Sequence, residues 1–99
     1  MDFRLEFTDE ADETLDSLEG DKSQKARLKA VRKQLGYLEK NPRHPSLNSK
    51  PYRTLSGPQG EPVWESYAQN NTPGAYRILW YYSKNESRVI VIAAIEPHR

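Results

Sequence analysis

The 99-residue sequence predicts an α+β domain of order β-α-α-β-β-β-β, an antiparallel meander sheet with an N-terminal strand and a helix hairpin packed on one face. Three observations carry this reading. Two runs of strong strand character, residues 75–82 and 88–95, close the chain around a polar turn. Apolar residues recur at helical spacing in two blocks between residues 9 and 40. Phe3, Leu5 and Phe7 alternate with Arg4 and Glu6, which marks a half-buried strand ahead of the first helix. The length suits one modest core, so residues 1–99 are read as a single domain.

Each element has its own signals. Thr8 is a plausible N-cap, and Asp9, Glu10, Asp12 and Glu13 place negative charge at the positive end of the helix that follows. Ala11, Leu15 and Leu18 form its apolar stripe, and Gly20 ends it. Ser23 can cap a second helix, whose stripe is Leu28, Val31, Leu35 and Leu38 and which stops at Asn41 and Pro42. The short turn between the helices makes them an antiparallel hairpin. Residues 41–51 contain three prolines and read as loop without a regular element. Residues 52–55 read as a short strand and residues 63–68 as a longer one, with Val63, Glu65 and Tyr67 on one face and Trp64, Ser66 and Ala68 on the other. A turn follows at residues 70–74. In the next strand Tyr76, Ile78, Trp80 and Tyr82 share one face and Arg77, Leu79 and Tyr81 the other. Residues 88–95 are apolar on both faces, as in a strand covered on both sides.

The net charge of +1 hides an asymmetry. Residues 1–21 hold nine acids and one base, whereas residues 22–53 hold ten bases and one acid. A basic middle third suits a polyanion, or a solvated helix face balanced by the acidic first helix. Lys22, Lys25, Lys29, Arg32 and Lys33 lie off the apolar stripe of the second helix. There is no cysteine, hence no disulfide and no thiolate metal site, and two histidines make no credible metal site by themselves. No cofactor and no metal are expected. No signal-peptide pattern and no membrane-length apolar run occur, so a cytoplasmic location with no membrane contact is the default expectation.

Arg77 near the start of one strand and His98 at the end of the next are side chains suited to a phosphodiester. A guanidinium grips phosphate oxygens, and an imidazole moves a proton near neutral pH. Glu65, on the same face as Tyr67, is either a general base or a cross-strand ion-pair partner of Arg77. Lys50, Arg53 and His44 lie in or beside the basic loop and are candidates for holding a nucleic-acid backbone. Tyr67, Tyr81 and Trp64 are candidates for stacking on bases, or else sheet core.

The element order, Leu55-Ser56-Gly57 ahead of the third strand, the Tyr-Arg-Ile-x-Trp run of residues 76–80, and an apolar last strand ending near a histidine together resemble the RelE/ParE superfamily of bacterial toxins. The site pattern is most similar to its RelE, YoeB and YafQ ribonuclease branches. The resemblance implies a toxin neutralised by a cognate antitoxin protein. It implies metal-independent endoribonuclease activity on mRNA, with the ribosome as a partner and a homodimer as an allowed assembly. It assigns phosphate contact to Arg77 and acid–base chemistry to His98. Two departures stand out. The acid that YoeB-like members carry before Leu-Ser-Gly is absent, where this chain has Ser46, Asn48, Ser49 and Lys50, and the third strand has Glu65 and Tyr67 where RelE has lysines. The ParE branch inhibits DNA gyrase without nuclease chemistry. A non-catalytic inhibitor of a protein target and an RNA-binding module without nuclease activity therefore stand as alternatives.

Overall fold

Strand β1 (Arg4–Phe7) pairs in parallel with the last strand, β5 (Val89–Pro97), from Arg4 opposite Val89 to Phe7 opposite Ile92. The protein is seen in a computed structural model that describes residues 2–69 and 74–98. Parallel neighbours need a crossover, and the helix hairpin provides it. Its entry is fixed at Thr8. The Thr8 amide donates to the Ile92 carbonyl (3.1 Å), and its hydroxyl donates to the Ala93 carbonyl (2.8 Å) while accepting from the Ala11 amide (3.2 Å). One residue thus caps helix α1 (Asp9–Glu19) and ties it to the sheet.

The link to helix α2 (Lys25–Lys40) differs from expectation. Ser23 does not cap α2, which starts after Gln24 without a side-chain cap; instead the Asp21 carboxylate accepts from the Ser23 amide (2.9 Å) and hydroxyl (2.7 Å) and starts a 3-10 turn over Lys22–Gln24 that leads into the helix. A carboxylate is the better acceptor for amides at a helix start. The same bonds hold the Asp21 carboxyl below its ordinary pKa. The 41–51 segment is also more ordered than its prolines suggested. Residues Pro45–Leu47 form a 3-10 turn, because proline fits the first turn of a helix and the His44 Nδ1 accepts from the Ser46 amide (3.0 Å). Leu47 is fully buried beneath it.

Strands β2 (Lys50–Ser56), β3 (Pro62–Tyr67) and β4 (Tyr76–Tyr82) complete a sheet of order β1-β5-β4-β3-β2. Strands β2 to β5 form the expected antiparallel meander, with β5 enclosed between β1 and β4. Of the turn expected at 70–74, residues 70–73 lie outside the described residues. A bulge interrupts the β4–β5 ladder: Leu79 faces Ala94 and Trp80 faces Ile92, so Ala93 is the extra residue. This change of parity puts Ile90, Ile92 and Ile95 into one core.

That core lies under both helices. Leu18, Val31, Leu35 and Leu38 pack with Ile78, Trp80 and the three isoleucines, and Leu15 and Leu28 are partly buried at its margin. Leu35→Ala is expected to cost about 2–5 kcal/mol in urea denaturation, the usual range for emptying such a position. The opposite face carries a smaller cluster of Val63, Leu79, Tyr81 and Ala94, and the helices leave it open. Among the described residues no helix is long and apolar enough to cross a membrane.

Candidate active site

Strand alternation delivers Glu65 and Tyr67 from β3 and Arg77 from β4 to the open face. Arg77 sits opposite Tyr67 on one side and Glu96 of β5 on the other. Its Nη1 donates to Glu65 Oε2 (2.8 Å); Nη2 donates to Glu96 Oε2 (2.6 Å) and the Tyr52 hydroxyl (3.2 Å); Nε donates to Glu96 Oε2 (3.2 Å). The guanidinium carbon stands 4.7 Å from the centre of the Tyr52 ring. Four of the five guanidinium hydrogens are thereby used, leaving one on Nη1. Burial alone would lower the Arg77 pKa, but hydrogen bonds to Glu96 and Glu65 outweigh it and raise the group above its ordinary value. Arg77 is a permanent cation.

The two carboxylates are not equivalent. The Glu65 side chain is 6% exposed and lies between cations, with Arg77 at one oxygen and the Lys50 Nζ 3.8 Å from the other. The Glu96 side chain is 35% exposed, and both of its bonds to Arg77 end on Oε2. Its Oε1 accepts no hydrogen bond among the described residues. Glu65 is therefore placed as a buried counter-ion and Glu96 as an accessible carboxylate held in position by an arginine.

His98 folds back onto this group. Its amide donates to the Ala75 carbonyl (2.7 Å), and its ring meets Tyr67 edge-on at 4.9 Å. Lys50, 56% exposed, lies 5.1 Å from the centre of the same Tyr67 ring. One end of the open face thus gathers Lys50, Tyr52, Glu65, Tyr67, Arg77, Glu96 and His98: two cations, two carboxylates, an exposed imidazole and aromatic surface.

Other residues singled out in the sequence lie elsewhere. His44 is across the sheet, stacked on Tyr37 (4.2 Å between ring centres) and lining a cavity with Trp64, Trp80 and Tyr82. Arg53 is exposed on the edge strand β2. Tyr81 is on the open face but four residues along β4 from Arg77, roughly 13 Å away, and is buried in the small cluster. Burial, then the charges of Glu61 and Glu6, raise its phenol pKa. A raised pKa in the folded state means stability that is complete below the ordinary tyrosine value, about 10, and is lost as pH climbs through the folded value. Tyr81→Phe is expected to flatten that alkaline decline in denaturation curves taken across this range.

Glu96 is the site residue that sequence reasoning missed. A signal existed, since it stands two positions before His98 and so shares its side of an extended chain. Its match to Arg77 depended on a register shifted by the Ala93 bulge. Among the described residues no group of three or more carboxylate and imidazole side chains forms a metal-binding cluster.

No family model matches the sequence, and no curated protein matches it significantly. Among solved structures, the chain is similar to that of a YoeB dimer from Staphylococcus aureus, with a TM-score of 0.66 over 98% of each chain at 13% identity. The α+β architecture read from the sequence, an N-terminal strand, two helices and a five-stranded sheet, is accordingly a YoeB-like fold.

Proposed function

We propose that the chain is a RelE-type toxin of a toxin–antitoxin pair, a cytoplasmic, metal-independent endoribonuclease that cleaves mRNA at the ribosome. The observation that carries this reading is the convergence of Glu96, Arg77, Lys50 and His98 on an uncovered sheet face, in a YoeB-like fold. Cleavage through the 2′-hydroxyl needs a base for the 2′ proton, cations for the phosphate oxygens and an acid for the leaving 5′ oxygen. Glu96 Oε1 takes the 2′ proton, and the 2′ oxygen bonds to phosphorus. His98 protonates the departing 5′ oxygen, which leaves a 2′,3′-cyclic phosphate and a 5′-hydroxyl. Lys50 and the remaining Nη1 hydrogen of Arg77 hold the phosphate oxygens, and Glu65 orients Arg77. Tyr67 offers a stacking surface for a base, and Arg53 on the neighbouring edge strand contacts the backbone.

The partners follow from the same reading. The exposed Lys22, Lys25, Lys29 and Lys33 of the second helix region suit rRNA or an acidic antitoxin; Arg32 there is already paired with Glu19. The similar solved structure is of a dimer, and a homodimer is part of the proposal. Induced expression alone in a bacterial host is expected to halt growth and to produce mRNA cuts mappable by primer extension. High-level expression that leaves growth unaffected would remove the toxin reading.

One observation favours a second reading. Four of the five Arg77 hydrogens are held by protein groups, so bidentate capture of phosphate requires displacing Tyr52, Glu96 or Glu65. A chain with a closed arginine is suited to a non-catalytic inhibitor of a protein such as DNA gyrase. Growth arrest with intact mRNA and inhibited gyrase would establish it.

A further inference from the structure

A cavity of about 520 Å³ lies on the helix side of the sheet, away from Arg77, within the ~300–1,000 Å³ of ordinary small-molecule sites. One wall is aromatic. Trp64 and Trp80 stack at 6.1 Å with 24° between their planes, and Tyr82 meets Trp80 edge-on at 5.3 Å. The Trp80 indole N–H is spent on Ser66 Oγ (2.9 Å), and Ser66 is bonded in turn to Ser49 (2.7 Å). Trp80 is 1% exposed, so the surfaces offered to a ligand are those of Trp64 and the 39% exposed Tyr82. Aromatic side chains of this kind can stack on any base.

The facing wall is the loop at residues 42–45. Arg43 is exposed, and its guanidinium has no carboxylate partner among the described residues. Arg43 and Tyr82 line the same cavity, and the Arg43 charge opposes the burial that raises the Tyr82 phenol pKa. His44 is fixed by its stack on Tyr37 and by the Ser46 amide at Nδ1, so the neutral ring keeps Nε2 as its donor. Among the described residues no aspartate or glutamate lines the cavity. The loop is anchored by buried Leu47 and by the Gln34 amide on the Ser46 carbonyl (3.1 Å), so the site stands largely preformed.

We propose that this cavity is a nucleotide subsite, taking one base of single-stranded RNA against Trp64 and Tyr82 with its phosphate on Arg43. It needs no nuclease activity and stands apart from the open-face site.

Both tryptophans of the chain line the cavity, so their emission reports on this place alone. Wild-type protein would be titrated with AMP and GMP, and separately with ribose 5-phosphate and inorganic phosphate. Saturable quenching by the nucleotides and none by the sugar phosphate or phosphate is expected. Arg43→Gln, an exposed position where folding is not at stake, should weaken the nucleotides by about tenfold or more, the worth of one charged hydrogen bond. His98→Ala should bind them as wild type does. Linear, unsaturated quenching, equal affinity in Arg43→Gln, or saturation by a proline-rich peptide but not by nucleotides would overturn the proposal.

Discussion

His98→Ala is expected to slow RNA cleavage by roughly 100- to 10,000-fold, the usual worth of a positioned acid or base, while leaving the denaturation midpoint nearly unchanged. The imidazole is exposed, its one ring contact among the described residues is the T-shaped one with Tyr67, and the backbone bond from its amide to Ala75 survives the substitution. Catalysis and stability therefore separate at this position. Glu96→Gln supplies the complementary measurement. It keeps an oxygen for Arg77 but removes the basic lone pair, so the loss should again fall on cleavage. If both variants cut RNA at the wild-type rate, the acid–base assignment fails as a pair.

Arg77→Ala is expected to do two things at once. Cleavage should fall about 100- to 1,000-fold through loss of phosphate stabilisation. Stability should also fall, by about 3–5 kcal/mol, because Glu65 is left as a buried carboxylate with only the more distant Lys50 near it. Urea denaturation and a cleavage assay read the two effects separately. The double variant Arg77→Met, Glu65→Leu should regain most of the stability, since an apolar pair fills a buried ion-pair site without desolvation cost. It should not regain cleavage. A double variant as unstable as Arg77→Ala would show that Glu65 is not the source of the loss.

The fold was largely legible because its elements obey strong periodicities. Each helix stripe marks one apolar face, and alternation along β3 and β4 sorts their residues between the helix-covered core and the smaller cluster on the open face. Less legible were features set by local hydrogen bonding between polar groups. Asp21 starts a 3-10 turn ahead of α2 where Ser23 was expected to cap the helix, and His44 organises a turn among prolines. The site was legible in part. Arg77, Glu65, Tyr67 and Lys50 share a face, as strand parity and pairing allow, and His98 joins them through its Ala75 bond. Glu96 was hidden because the Ala93 bulge breaks the parity from which its side would be read. The side of the sheet on which His44 lies was not legible, because nothing in a loop sequence tells which face of the sheet the loop covers. Its neighbours proved to be Tyr37 and the tryptophan wall rather than Arg77.

The most direct measurement is an end-group analysis of mRNA incubated with translating ribosomes and the purified chain. The expected result is a set of discrete cuts whose upstream fragments end in 2′,3′-cyclic phosphate. Cutting should disappear when the nucleotide at the cleavage site lacks its 2′-hydroxyl, and should be reduced at least 100-fold with His98→Ala. Intact mRNA, or cuts that persist on the 2′-deoxy substrate, would contradict a 2′-hydroxyl mechanism at the open face.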